Sequence, residues 1–129
     1  MMKRFIRNAS LGAVVSLAVS MSGVALAGDV SGIWMRDTGV SKVRFAKCGN
    51  SLCGTIVWLK NQNGPAHIGQ KVFYDMKPLG ENLWEGSAFN PEDGKTYTGK
   101  MTLSGTVLTT SGCGLGGLIC KSASWTRAD

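Results

Sequence analysis

Little in this chain is equipped for acid–base or metal chemistry. It has one histidine, His67, among 129 residues, with no cysteine or paired carboxylate near it in sequence. A metal centre or a histidine-assisted nucleophile needs such partners, so His67 reads as a solvent-exposed loop residue. The serine-nucleophile signature G-x-S-x-G is missing. No C-x-x-C pair occurs, which argues against zinc-ribbon and thiol-redox sites. "GCGLGGLIC", residues 112–120, is glycine-rich. It lacks the Lys-Ser/Thr and the following helix of a phosphate loop, so tight turn geometry accounts for it. Charged residues are 17% of the chain, and the basic ones stand singly between apolar and small residues. A nucleic-acid groove would need them clustered and interleaved with aromatics. No repeat, linker or composition shift divides the chain, and no cofactor or metal is expected.

What is present begins with an export signal. Residues 1–27 read as a secretory signal peptide. Lys3, Arg4 and Arg7 give a positive start, an apolar run follows from about Leu11 to Val24, and Ala25-Leu26-Ala27 offers a small-x-small cleavage site. The apolar run is too short to cross ~30 Å of hydrocarbon, so no transmembrane anchor is expected after cleavage. Cleavage after Ala27 leaves a single domain from Gly28 to Asp129, 102 residues long. It also removes three cations, leaving 11 basic residues against 8 acidic ones, a net of +3. The expected location is the periplasm or the exterior of a bacterial cell.

All four cysteines, Cys48, Cys53, Cys113 and Cys120, fall in the exported part. An even number in an exported chain reads as disulfides, and four cysteines allow three connectivities. The spacings favour local closure. "CGNSLC" puts Cys48 and Cys53 at the ends of a four-residue loop, and "CGLGGLIC" puts Cys113 and Cys120 around a six-residue one. Residues facing each other across a hairpin have Cβ atoms roughly 4.5–5.5 Å apart, near disulfide range.

Past residue 28 no segment reads as a helix, because glycine supplies 16 of the 102 residues and recurs every few positions. Period-two alternation between turn signals recurs instead. The strands expected are Ile33–Arg36, Val43–Cys48, Thr55–Leu59, Lys71–Asp75, Leu83–Phe89, Thr96–Leu103, Thr106–Ser111 and Lys121–Arg127. Asp37-Thr38-Gly39, the polar loop 60–69, Pro78-Leu79-Gly80, "NPEDGK" and Ser104-Gly105 separate strands. Eight consecutive strands joined mostly by short hairpins predict an all-β, up-and-down antiparallel barrel. Eight is also a number that closes around a packed interior or one small ligand.

In such a barrel the first and last strands are neighbours. Trp34, in "GIW", lies on the first, and Arg127, in "WTR", lies on the last. An arginine over that indole would plug one end, with a cation–π attraction of ~0.5–2 kcal/mol. Gly32, Trp34, Trp125 and Arg127 are therefore the expected closure residues. The arrangement resembles the lipocalin and calycin barrels, which begin with Gly-x-Trp and end with a basic residue over that tryptophan. Typical lipocalins are longer and carry a helix after the barrel, so a small cavity is implied here. A fuller resemblance rests on "SKVRFAKCGNSLCGTIVWL", "GQKVFYDMKP", "AFNPEDGKTYTGKMTL" and "LGGLICKS". These strings are similar to a family of exported bacterial proteins, domain of unknown function 2147. That resemblance implies an exported β-rich domain with four cysteines, and no catalytic residues.

The carboxylates Asp75, Glu81, Glu85, Glu92 and Asp93 assemble no acid–base pair in sequence. Asp93 reads as a turn residue and Glu85 as outward-facing. The aromatics Trp34, Trp58, Trp84, Trp125, Phe45, Phe73, Phe89, Tyr74 and Tyr97 read mostly as barrel core. Trp58, Tyr74, Trp84 and Tyr97, with Leu115, Leu118 and Ile119 of the last hairpin, are the candidates for a ligand cavity or rim. The function expected is non-catalytic binding of a small apolar or amphipathic molecule. The alternative is an envelope structural or protein-interaction module acting through its hairpin loops.

Overall fold

A computed structural model describes residues 29–129. The predicted signal peptide and its cleavage site lie outside the described residues. The chain forms eight strands: β1 Gly32–Arg36, β2 Ser41–Cys48, β3 Ser51–Leu59, β4 Lys71–Gly80, β5 Leu83–Asn90, β6 Lys95–Ser104, β7 Val107–Gly114 and β8 Ile119–Arg127. Each pairs antiparallel with its sequence neighbour, and β1 also pairs with β8, closing the barrel. Closure pairs every strand on both sides, which removes the unpaired edge that a small open sheet would expose.

The two ends of the barrel differ. At one end Val30, Trp34, Val43, Phe45, Met76, Met101 and Leu108 are almost fully buried and form a packed plug. The turns 49–50, 81–82 and 105–106 lie at this end. The opposite end carries the connections 37–40, 60–70, 91–94 and 115–118, and there the interior is hollow. One disulfide braces each end, Cys48–Cys53 at the plug and Cys113–Cys120 at the mouth.

Three local expectations need correction. The β2–β3 hairpin turns on Gly49-Asn50 alone, with Cys48 opposite Ser51 and Cys53 opposite Ala46. The disulfide therefore runs diagonally, across a Cα separation of 5.7 Å, rather than joining the ends of a four-residue loop. In the last hairpin, Cys113 and Cys120 do face each other, but pairing continues one step further to Gly114 and Ile119. The connection shrinks to residues 115–118, a short 3-10 turn, because Gly114 and the β-branched Ile119 join the ladder.

The third correction concerns Pro78-Leu79-Gly80, which is strand, not turn. β4 carries one extra residue between Tyr74 and Lys77, where β5 has only Gly86, and another at Leu79. A proline is tolerated within a sheet where such bulges interrupt the ladder. At the first bulge Asp75 adopts φ 52°. A Cβ on Gly86 would stand 2.5 Å from the carbonyl oxygens of both Tyr74 and Asp75. Only glycine lets the two backbones approach this closely, so the bend of β4 is written into β5.

Candidate functional site

Inward-facing side chains of the hollow half enclose a cavity of about 800 Å³, within the ~300–1,000 Å³ usual for small-molecule sites. Its inner end is formed by Val43, Ile56, Phe73, Thr110 and Trp125. Phe73 meets Trp125 edge-on, with ring centroids 6.4 Å apart. The Trp125 indole N–H donates to the buried Thr110 hydroxyl oxygen at 2.9 Å, which holds the ring in place. Leu59, Val72, Ala88, Phe89, Tyr97 and Ala123 continue the wall. Lys60, Asn61, Gly64 to Ala66, Asn90 to Glu92 and Ile119 surround the opening.

Charge is concentrated near the mouth. Arg36, Lys60 and Lys121 line the cavity, and Glu92 is the one carboxylate among the described residues that do. The Arg36 guanidinium lies 5.8 Å from the Trp125 ring centre. Its Nε is buried and makes no hydrogen bond, although the half-exposed Asp37 carboxylate stands 3.5 Å away as an ion pair. On the far wall the Tyr97 hydroxyl donates to Asp93. That bond holds the Asp93 carboxyl below the ordinary range and pushes the Tyr97 phenol above its own. Asp93 also accepts the Lys95 backbone N–H at 2.9 Å, the turn role read from "PEDGK". Among the described residues, no group of three His, Cys, Asp or Glu side chains could hold a metal ion.

A second arginine–tryptophan pair sits at the plugged end. Trp34 and Arg127 are direct cross-strand partners, as are Arg36 and Trp125. The Arg127 guanidinium lies 4.3 Å from the Trp34 ring centre. It donates to the Ser31 carbonyl at 2.6 Å and to the Asp29 carbonyl at 2.7 Å. The Trp34 indole N–H donates to the Val30 carbonyl at 2.9 Å. Gly32 has φ 125°, and a Cβ there would come within 2.5 Å of the Asp129 carboxylate and 2.8 Å of Arg127. The glycine of "GIW" thus makes room for the chain's own C-terminus.

The sequence matches, over residues 32–127, the family described as an uncharacterized protein conserved in bacteria (DUF2147). The chain belongs to that family. No curated protein matches it. Among solved structures, this DUF2147 barrel is similar to protein HP1028 from Helicobacter pylori, described as belonging to the lipocalin family. The TM-score is 0.63 at 17% identity, covering 78% of this chain and 84% of that one. At that identity the likeness concerns the fold: a lipocalin-like closed barrel.

Within the DUF2147 barrel the predicted site residues separate. Tyr97 and Ile119 line the cavity. Leu115 and Leu118 lie beside its mouth, 72% and 86% exposed. Trp84 is buried and borders the plugged end instead. Trp58 is on the outer face, with the Lys42 ammonium 5.4 Å from its ring centre. The reason is an extra residue, Val57, between the pairs Lys42–Trp58 and Val43–Ile56, which reverses the phase of the strand. Tyr74 has its hydroxyl on the Lys71 carbonyl at 2.9 Å. Trp125 lies at the inner end of the cavity rather than beside Trp34. His67 is exposed in its loop, and Glu85 pairs outward with Lys100 at 3.9 Å.

Arg36 is the residue the sequence reading missed. A signal for it existed: in "GIWMR" it stands two residues beyond inward-facing Trp34, so period two places it on the same face. Lys121 follows from Trp125 and Ala123 in the same way.

Proposed function

We propose that this protein is an exported barrel that binds one small apolar or amphipathic molecule, without chemistry, in the open half of its interior. The cavity of about 800 Å³ above a packed plug carries this reading. Its inner end is apolar and aromatic apart from the Thr110 hydroxyl, which Trp125 engages. Its charged groups lie on the wall and near the mouth, the usual division of labour in small-molecule sites. Serine and threonine hydroxyls reach the cavity, but no histidine or cysteine lines it among the described residues. Export to the periplasm or beyond is supported by the predicted signal peptide and by two disulfides, which persist in oxidising compartments.

The test is native mass spectrometry of the oxidised protein purified from the periplasm, before and after mild organic extraction. A discrete extra mass that extraction removes, on a chain beginning at Gly28, is the expected result. A bare chain that also takes up no apolar dye would sink the reading.

A second reading, an envelope module docking through its hairpin loops, is favoured by one observation. Val40, Ile68, Leu115, Leu118 and Ile119 are all exposed apolar residues on connections or strand ends at the mouth. Photo-crosslinking from position 118 in living cells tests it: one discrete envelope partner supports it, and unconjugated protein counts against it.

A further inference from the structure

We propose that the cavity selects amphiphiles with an anionic head, and that Arg36 is the residue that binds this head; the inference rests on the cavity being a ligand site. The two arginine–tryptophan pairs of the β1–β8 seam supply the comparison. Both stack a guanidinium on an indole across the same two strands. At the plugged end, Arg127 directs two N–H groups onto backbone carbonyls, at 2.6 and 2.7 Å. At the cavity, the buried Arg36 Nε makes no hydrogen bond. A guanidinium has five N–H donors and cannot shed its charge in a protein. Nε is closed off beside Asp37, but the Arg36 side chain is 35% exposed. Its terminal N–H groups, which have no acceptor among the described residues, are the part a ligand oxyanion can reach. A charge-assisted bond there adds affinity.

The surroundings indicate the sign and shape of the ligand. Lys60 and Lys121 also line the cavity, against the single carboxylate of Glu92. Beyond Arg36 the wall turns to Trp125, Phe73 and Ile56, which offer nothing to a second charge. An oxyanion on a chain or ring system, a carboxylate or a phosphate monoester, fits both halves. Its oxygens would meet the Arg36 fork, and its apolar body would lie along the aromatic inner end. Asp37, 3.5 Å from Nε and half-exposed, competes for the same guanidinium from outside.

Competition between single-chain ligands of equal length tests this, with neutral N-phenylnaphthylamine as the fluorescent reporter and every ligand below its micellar concentration. Dodecanoate and dodecyl phosphate are expected to displace the reporter at roughly 10- to 100-fold lower concentration than dodecanol or dodecyltrimethylammonium, the worth of one charge-assisted contact. Arg36→Met is expected to abolish that preference while still binding the reporter, which also shows that the variant is folded. Asp37→Asn frees Arg36 and is expected to tighten dodecanoate by about 1.5- to 5-fold with dodecanol unchanged, a gain that misfolding cannot imitate. Reporter binding with equal displacement by dodecanol and dodecanoate overturns the role of Arg36 and leaves the binding function standing. A preference that survives Arg36→Met and disappears in Lys60→Ala or Lys121→Ala also overturns it. No reporter binding by the wild-type protein overturns both.

Discussion

Removing the Arg127 side chain should open the plugged end of the barrel. Three interactions are lost together: the stack on Trp34 at 4.3 Å and the hydrogen bonds to the Ser31 and Asp29 carbonyls. The stack contributes ~0.5–1 kcal/mol at an exposed site. Hydrogen bonds from a charged donor contribute about 1.5–3 kcal/mol each, taken here at or below the lower end because Arg127 is solvent-exposed. The sum for Arg127→Ala is ~2–4 kcal/mol. For a domain of this size that is a fall in melting temperature of about 10–25 °C, read by circular dichroism of the oxidised protein. Two further variants separate the causes. Arg127→Lys keeps the charge but loses the planar fork that reaches two carbonyls, and should lose about half as much. Arg127→Met covers the indole without hydrogen bonds and should fall close to the alanine variant. If the Arg127→Met variant melted with the wild type, apolar cover alone would explain the end, and the hydrogen-bond reasoning would be refuted. An alanine variant within ~0.5 kcal/mol of wild type, the scatter of ordinary surface changes, would refute the whole account.

Other outcomes follow from the same geometry. Ala123→Phe, which places a ring inside the cavity wall, should weaken N-phenylnaphthylamine binding roughly tenfold or more, about 1.4 kcal/mol; a fluorescence titration reads it. Gly86→Ala should destabilise the protein by about 1–3 kcal/mol or more through contact with two backbone carbonyls. Gly112→Ala, whose Cβ meets nothing nearer than 3.5 Å, should be near neutral when both glycine variants are compared by urea denaturation. Replacing Cys113 and Cys120 together by serine releases a loop of sequence separation 7 and should cost about 2 kcal/mol, seen as a lower urea midpoint. Tyr97 should ionise at higher pH than a free tyrosine in an ultraviolet titration, and Asp93→Asn should return it towards the ordinary value. The sign for stability differs between the partners. The Asp93 contribution is present above its unfolded pKa and lost as pH falls through the depressed folded one. The Tyr97 contribution is present below its unfolded pKa and lost as pH rises through the elevated folded one.

Strand number, antiparallel order and both disulfides are properties of local sequence. Alternation of period two, turn residues such as Asp93-Gly94, and cysteines five and seven positions apart act within one hairpin, so a short window contains the whole cause. The meeting of Trp34 with Arg127 followed from closure, because an eight-strand meander brings its ends together. Bulges escaped that reading. One extra residue at Val57 turns Trp58 outward, and another beside Asp75 carries β4 through Pro78. Each depends on what the partner strand tolerates, as at Gly86, and no single strand contains that information. The hollow interior is a still less local property. Period two shows that Arg36, Lys121, Ala123 and Trp125 share the inner face. Whether eight inward rows fill the space or leave about 800 Å³ depends on which side chains meet across the barrel. Large residues meet at the plug, where Trp34, Phe45, Met76 and Met101 interdigitate. At the mouth Ala88, Gly112 and Ala123 leave room, and only their convergence in three dimensions makes that room a site.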